Sequence, residues 1–465
     1  MSTPSSKNPL EPWLLLMIRC DGKEVLVSTR AAKYTLPQVQ IPAQQRIAAN
    51  INRAVEREFG LRVISLYEVI PRGPALGSDF HYHAVAAVQS AQMPPGGYRW
   101  ACLRTLKANS FLRDREFAGI DTFRLGLKAA GRDLAAEPFR KPAWFTEVKN
   151  WVGRSLRPYS LRLSGKFEQW NACPTFSLIR FETNREPVWF KAVGKPNIRE
   201  WAVTLALASL CPDCIPRILA SRRRWNAWLA LQAPGQSLAS NGEPRFWERT
   251  AASLASLQVA SIDHGDNLLM AGAHDLRVSR LLSILEPFFE FVADSTRRLP
   301  LQTSKNLTLL EVSELKDIVR LTLQELDGLR LFDTVGHMDL SPANIFGTTG
   351  RAVFLDWAEA FVGEPLFSFE YLLQHFRRKF SRDAALEERF RNAYLNAWRA
   401  KIPPKHLERA LLLSPLSALF GYAATVWASA QTDSAQLPPR ERYLLSLVRK
   451  MKDEVPQMEG GKGYR

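Results

Sequence analysis

Cysteine is scarce in this chain. Five residues among 465, at positions 20, 102, 173, 211 and 214, are too few to staple a disulfide scaffold and fit a reducing cytoplasm. Cys211-Pro212-Asp213-Cys214 has metal-like spacing, but there is no second pair and structural zinc needs four ligands. It reads as a turn closing a helix. Long apolar runs are also lacking: the stretch from Trp13 to Met17 is cut off by Arg19 and Asp21. Neither a signal peptide nor a membrane partner is expected. Repeats and low-complexity tracts are missing. Acid is short relative to base, 46 Asp and Glu against 62 Lys and Arg, for a net charge of +16. Residues 1–150 hold 21 basic against 13 acidic residues and so carry half of that excess. Such a balance permits an anionic partner, but a solvated basic surface accounts for it, and nucleic acid is not expected. A hydrophobic content of 46% excludes a disordered chain, and the length allows two or three domains.

What stands out is His337-Met338-Asp339-Leu340-Ser341-Pro342-Ala343-Asn344, followed by Val353-Phe354-Leu355-Asp356-Trp357. Ser341-Pro342 forces a loop just after Asp339. Ala352 to Leu355 reads as a short buried strand with Asp356 at its end. A loop and a strand end can aim an Asp, an Asn and a second Asp at one metal. Phosphoryl transfer from a nucleotide needs these groups: a carboxylate to orient a hydroxyl, and an amide oxygen with a second carboxylate to hold Mg²⁺.

At these residues the chain resembles the aminoglycoside phosphotransferase and choline kinase-like family, a branch of the protein-kinase-like fold. The Trp after the second Asp favours that family over protein kinases. The resemblance makes Asp339 the catalytic base, Asn344 and Asp356 the metal ligands, and His337 a brace of the catalytic loop.

Upstream, Tyr159–Leu163, Thr175–Phe181 and Val188–Val193 read as three antiparallel strands, similar to the small lobe of that fold. The third carries Lys191, at the place the family gives its phosphate-binding lysine. Glu200, in the first turn of a helix over 197–210, is its expected ion-pair partner at salt-bridge distance, about 4 Å or less. Ser164-Gly165-Lys166, between the first two strands, has one glycine where protein kinases carry three. Trp225 to Gly235 looks like the inter-lobe linker, in which backbone groups of Leu231, Gln232 and Ala233 would bind adenine. Helices are expected over 246–261, 276–296, 309–329, 370–380, 384–400, 405–430 and 440–454, with a disordered tail from Pro456.

The N-terminal part reads as strands over 13–18 and 24–28, a helix over 45–59 closed by Gly60, and strands over 63–70 and 81–88. Residues 101–131 read as mostly helical. This order resembles a Nudix domain, whose signature is kept at Arg53, Val55, Glu58, Gly60 and Leu61. It departs at Val39, Gln45, Ala54 and Arg57, where the family carries its first glycine and three acids. One remaining acid beside an arginine implies the fold without the hydrolase.

The expected architecture is therefore α+β: a bilobal protein-kinase-like fold preceded by a degenerate Nudix-like α/β/α domain. The expected divisions are 1–130, a linker over 131–150, a small lobe over 151–234, a helical lobe over 235–455 and a tail over 456–465. The expected activity is ATP- and Mg²⁺-dependent phosphorylation of a small-molecule hydroxyl. Arg377, Arg378, Lys379 and Arg382 favour a neutral or anionic acceptor. Two alternatives stay open: a silent nucleotide-binding regulator with a Nudix-like sensor, and a Nudix-type pyrophosphohydrolase.

Overall fold

The computed structural model describes residues 9–43, 46–71, 81–89, 91–130, 137–298, 307–348, 350–381, 383–431 and 437–460. The chain forms two compact units, Met1–Trp201 with Ile218–Gln232, and Ala202–Arg217 with Ala233–Arg465.

The first unit opens with β1 (Leu10–Ile18), β2 (Glu24–Ser28), β3 (Gln38–Pro42), α1 (Ile47–Phe59), β4 (Val63–Glu68), β5 (His81–Ala87) and β6 (Tyr98–Cys102). β1 is the hub: it runs parallel to β5 and antiparallel to β2 and β3. Its run of consecutive apolar residues follows from burial on both faces. Leu14, Leu16 and Ile18 enter one core cluster, and Trp13, Leu15 and Met17 enter another with Ile51, Ala54 and Val55 of α1. Gly60 ends α1 as expected, at φ 65°, its N–H donating to Glu56; this left-handed position suits glycine.

Two strands differ from the sequence reading. β3 was not anticipated, although Val39 and Ile41 alternate inward between exposed Gln38 and Gln40. The start of the stretch read as helical is β6, paired to β2; the helix α2 (Asp114–Ala130) begins later. The residues expected as a linker hold most of α3 (Trp144–Leu156), which buries Trp144, Val148, Val152 and Leu156 at a spacing of four.

Next come β7 (Leu163–Ala172), β8 (Ser177–Thr183), β9 (Val188–Ala192), α4 (Glu200–Leu210), of which the residues from Ala202 onward belong to the second unit, β10 (Ile218–Arg222) and β11 (Ala227–Leu231). The strands form one antiparallel sheet in the order β10-β11-β9-β8-β7. Ser164, Gly165 and Lys166 lie inside β7, at a register shift between Leu163 and Phe167 with Gly165 at φ 90°. They are a bulge, not the loop expected between two strands; the turn into β8 comes at 173–176. β7 also meets the N-terminal sheet. The Gln169 side chain accepts from Ser65 N (2.7 Å) and donates to Ser65 O (3.0 Å), as a neighbouring strand's peptide would. One buried cluster runs from Leu14 through Phe123, Trp144 and Phe190 to Leu229.

The second unit holds β12 (Gln236–Ser237), α5 (Pro244–Ala260), α6 (Gly265–Ala271), β13 (His274–Leu276), α7 (Val278–Arg298), α8 (Leu309–Gly328), β14 (Thr334–His337), β15 (Ile345–Gly347), β16 (Ala352–Phe354), β17 (Ala360–Gly363), α9 (Leu366–Lys379), α10 (Ala384–Leu395), α11 (Pro404–Gln431) and α12 (Leu437–Gly460). Two three-stranded sheets, β12-β15-β16 and β13-β17-β14, are set among the helices. α8 starts on a capping box between Thr308 and Glu311. α11 is long and apolar enough to cross a membrane by length and composition, contrary to the sequence reading, but half of its most apolar window is buried. Its Leu413, Leu416, Phe420 and Ala424 belong to the unit's core. α12 continues through Pro456 to Gly460, where a disordered tail was expected.

Candidate active site

In the first unit, β9 alternates: Val188, Phe190 and Ala192 are buried in the core, which puts Trp189 and Lys191 on the opposite face. Lys191 Nζ lies 2.5 Å from Glu200 Oε1, inside the distance expected from the sequence, and the two side chains are 14% and 2% exposed. Glu200 is the first residue of α4, brought there by a turn in which its N–H donates to Asn197 O. Lys191 is paired across the sheet with Trp228, and Nζ stands 5.7 Å from that ring's centroid. The ammonium is thus held among apolar neighbours by a buried carboxylate, as its burial requires.

The stretch expected to bind adenine is committed in part to its own sheet. Leu231 pairs with Val188 at the end of β11. Gln232 N–H donates to Pro187 O (2.9 Å), and its side-chain oxygen accepts from Trp189 Nε1 (2.6 Å). Trp189 stands edge-on to Trp170 at 4.7 Å. The backbone N–H of Gln232 is thereby committed to the sheet and is not left for a base.

In the second unit, Ala233 is buried, and the Pro-Gly after it leads into β12. Gly235 has φ +80°, and a Cβ there would fall 1.6 Å from Gly347 O. Only glycine allows β12 to lie this close to β15, and so to the segment that follows Asn344. Gly235, the last residue of the expected linker, is a close-approach point.

The second half of the motif is assembled by a hairpin. β15 and β16 pair with Ile345 opposite Phe354, and Leu355 N–H donates to Asn344 O (2.8 Å). Twelve residues of sequence thereby fold back, and Asp356 follows the residue bonded to Asn344. Asp356 is exposed at φ 64°, a left-handed position that Asp tolerates better than most residues. Asn344 Nδ2 donates to Asp339 O (3.0 Å) and Oδ2 (3.1 Å). That orientation turns its amide oxygen away from Asp339, and Asn344 Oδ1 makes no hydrogen bond among the described residues.

His337 joins the two motifs. It is fully buried; Nδ1 accepts from Asp339 N–H (3.1 Å) and Nε2 donates to Leu355 O (2.9 Å). An acceptor on one side and a donor on the other fit only the neutral ring carrying its proton on Nε2. Trp357 packs on the imidazole, ring centroids 4.7 Å apart, and is itself buried with Nε1 bonded to Phe354 O.

Two residues that the sequence did not single out belong here. Tyr371 Oη, on α9, lies 3.5 Å from Asp339 Oδ1. Burial, then the negative charge of Asp339, pushes its hydroxyl up to about 12. Glu359 is exposed as a residue, and its carboxyl is raised by partial desolvation first and then by the charges of Asp339 and Asp356, so three carboxylates share one region. Glu359 follows Asp356 by three residues and could have been suspected; Tyr371, 32 residues past Asp339, could not. No group of three or more His, Cys, Asp or Glu poised for a metal occurs among the described residues. The donors expected from the sequence, Asn344 Oδ1 and the Asp356 carboxylate, are two hard oxygens. Mg²⁺ commonly takes one or two protein ligands and completes its shell with phosphate and water.

Beside Asp339 opens a cavity of about 430 Å³ lined by His337, Met338, Phe361, Phe367, Tyr371 and Tyr422, among others. Arg378 and Lys450 line it together with Glu370, Asp453 and Glu454, so both signs of charge are present. Of the basic cluster, Arg377 is spent on Glu387 (2.7 and 2.9 Å), and Arg382 lies outside the described residues.

No protein-family model and no curated protein matches this sequence. Among solved structures, the macrolide 2'-phosphotransferase MphH of Brachybacterium faecium is similar at 16% identity over 65% of this chain and 98% of its own, with a TM-score of 0.44. Plasmodium vivax ethanolamine kinase matches at 13% identity over 71% and 96%, TM-score 0.44. A choline/ethanolamine kinase family protein from Mesorhizobium loti matches at 14% over 63% and 93%, TM-score 0.39. Likeness at this level assigns neither a family nor a substrate.

Proposed function

We propose that this chain is an ATP- and Mg²⁺-dependent phosphotransferase acting on a hydroxyl of a small molecule, on a bilobal protein-kinase-like fold of the aminoglycoside phosphotransferase and choline kinase-like type. The observation that carries it is the placement of Asn344, whose amide nitrogen is fixed on Asp339 while its oxygen is left for a cation beside Asp356.

Asp339 orients the acceptor hydroxyl and takes its proton. Tyr371, raised in pKa and facing the same carboxylate, holds Asp339 from the side of the cavity. His337 keeps Asp339 and Leu355 in register through a ring that has no spare proton to exchange. Asn344 and Asp356 would hold Mg²⁺, which neutralises charge on the phosphates when bound. Lys191, held by Glu200, meets the non-transferred phosphates. The cavity next to Asp339 takes the acceptor. Its aromatic lining suits a ring or an alkyl skeleton, and its mixed charges suit a neutral or zwitterionic head better than a polycation.

For the N-terminal sheet the Nudix likeness supports a fold reading only. Arg57 pairs with Glu58 at 2.8 Å, and a cation beside the one remaining acid disfavours a metal there.

The test is ADP release by the purified full chain with Mg·ATP across a panel of small alcohols, sugars, amino alcohols and nucleosides. Acceptor-dependent ADP formation that Asp339→Asn abolishes supports the reading. No acceptor-dependent turnover across the panel, together with no Mg·ATP binding, overturns it.

A further inference from the structure

A second cavity, of about 740 Å³, lies wholly within the first unit. Its walls come from the start of α1, the ends of β4 and β5, and the end of β7 with the turn that follows. Its size is that of a small-molecule site. Much of the exposed wall is apolar, including Ile47, Val69, Ala172 and Pro174.

Several polar groups break that apolar lining. His83 is 3% exposed, and neither ring nitrogen has a hydrogen-bond partner among the described residues. A buried polar group left in this state is costly and calls for a partner. Arg46 is stacked on Trp170, its guanidinium carbon 3.7 Å from the ring centroid, and meets no carboxylate among the described residues. Arg140, over the ring of Tyr67 at 4.7 Å, is already paired with Glu137. Glu68 at the wall is engaged by His81 (3.3 Å). Among the described residues the lining therefore offers a cation that meets no carboxylate, an unsatisfied imidazole, the buried hydroxyl of Tyr67, also without a hydrogen-bond partner, and an apolar body.

The geometry points to a binding site for a small, mostly apolar monoanion of the aryl carboxylate or sulfonate kind. The anionic group faces Arg46, the apolar body lies along Ile47, Val69 and Ala172, and a polar atom of the ligand reaches His83. The proposal does not rest on the phosphotransfer reading. It has a consequence for it, because the turn after β7 leads into β8, which pairs with the strand of Lys191.

The probe is 8-anilinonaphthalene-1-sulfonate, titrated by fluorescence into the full chain with and without saturating Mg·ATP. One saturable site per chain is expected, undisturbed by Mg·ATP. Arg46→Glu, at an exposed position, and Ala172→Trp, which fills the cavity, should each weaken it at least tenfold. His83→Phe should keep the fold and melt no lower than the wild type, since it removes an unsatisfied group. Several weak sites, or unchanged affinity in Arg46→Glu, overturns the proposal. Displacement by Mg·ATP also overturns it, by making the cavity part of the nucleotide site.

Discussion

The Lys191–Glu200 pair lets folding and catalysis be separated. Both side chains are nearly out of solvent, Glu200 more so than Lys191. Removing one member of such a pair leaves a buried charge and typically costs about 3–5 kcal/mol, whereas replacing both with apolar groups of similar volume is often neutral. Lys191→Met strands the deeper group, so about 4 kcal/mol is expected. Glu200→Leu strands an ammonium that has Trp228 nearby and a flexible stem reaching towards solvent, so about 2 kcal/mol is expected. The double variant should recover most of both losses. With a urea slope of about 2–3 kcal/mol/M, the single variants should shift the midpoint by about 1.5 M and about 1 M. Transfer activity should not follow this order. Lys191→Met and the double variant should both be inactive, and Glu200→Leu should keep partial activity, because Glu200 acts only by holding the lysine. A double variant no more stable than Lys191→Met would refute the buried-pair reasoning. Activity in the stable double variant would remove Lys191 from the phosphates.

Asp339→Asn should abolish transfer while calorimetry shows nearly unchanged Mg·ATP binding, since an amide keeps the shape but accepts no proton. Asp356→Ala should weaken Mg·ATP binding at least tenfold and stop turnover; wild-type affinity would mean the metal is held elsewhere. His337→Ala removes the partners of Asp339 N–H and Leu355 O and should destabilise the second unit by about 2–6 kcal/mol, read as a lowered urea midpoint. Glu364 is buried and its carboxyl is pushed up to about 8. The folded state then holds a proton that the unfolded chain releases above about pH 4.5, so this group stabilises at low pH and loses its contribution as pH rises through 8. Glu364→Gln should flatten stability against pH over that window; an unchanged slope would assign it to another group.

The juxtaposition of Asp339, Asn344 and Asp356 was legible because their spacing is short-range. Asp339 and Asn344 share a loop, and an apolar triplet announces the strand before Asp356. Lys191 and Glu200 were legible as a strand and the helix that follows it. What could not be read is which partner a side chain chooses across the fold. That Gln232 serves Trp189, that Gly235 is needed for β15, and that Tyr371 returns to Asp339 all depend on contacts between distant segments. Strands β3 and β6 were missed for a different reason. Each is five residues long, and neither carries an apolar run of the kind that marks β1. α3 carries a clear periodicity, but Pro138 and Pro142 just before it give the stretch the look of a linker.

The amide of Gln169 and the shared core it seals have a consequence for how this chain can be handled. A cut near residue 131 would open a face on which Phe123, Phe139 and Trp144 now pack with both sheets, and Ser65 would lose both of its backbone partners at once. The N-terminal sheet is therefore not a transplantable part. Grafting it onto another enzyme, or shortening the chain to a minimal version without it, would produce an aggregating fragment, because each side supplies the other's interior.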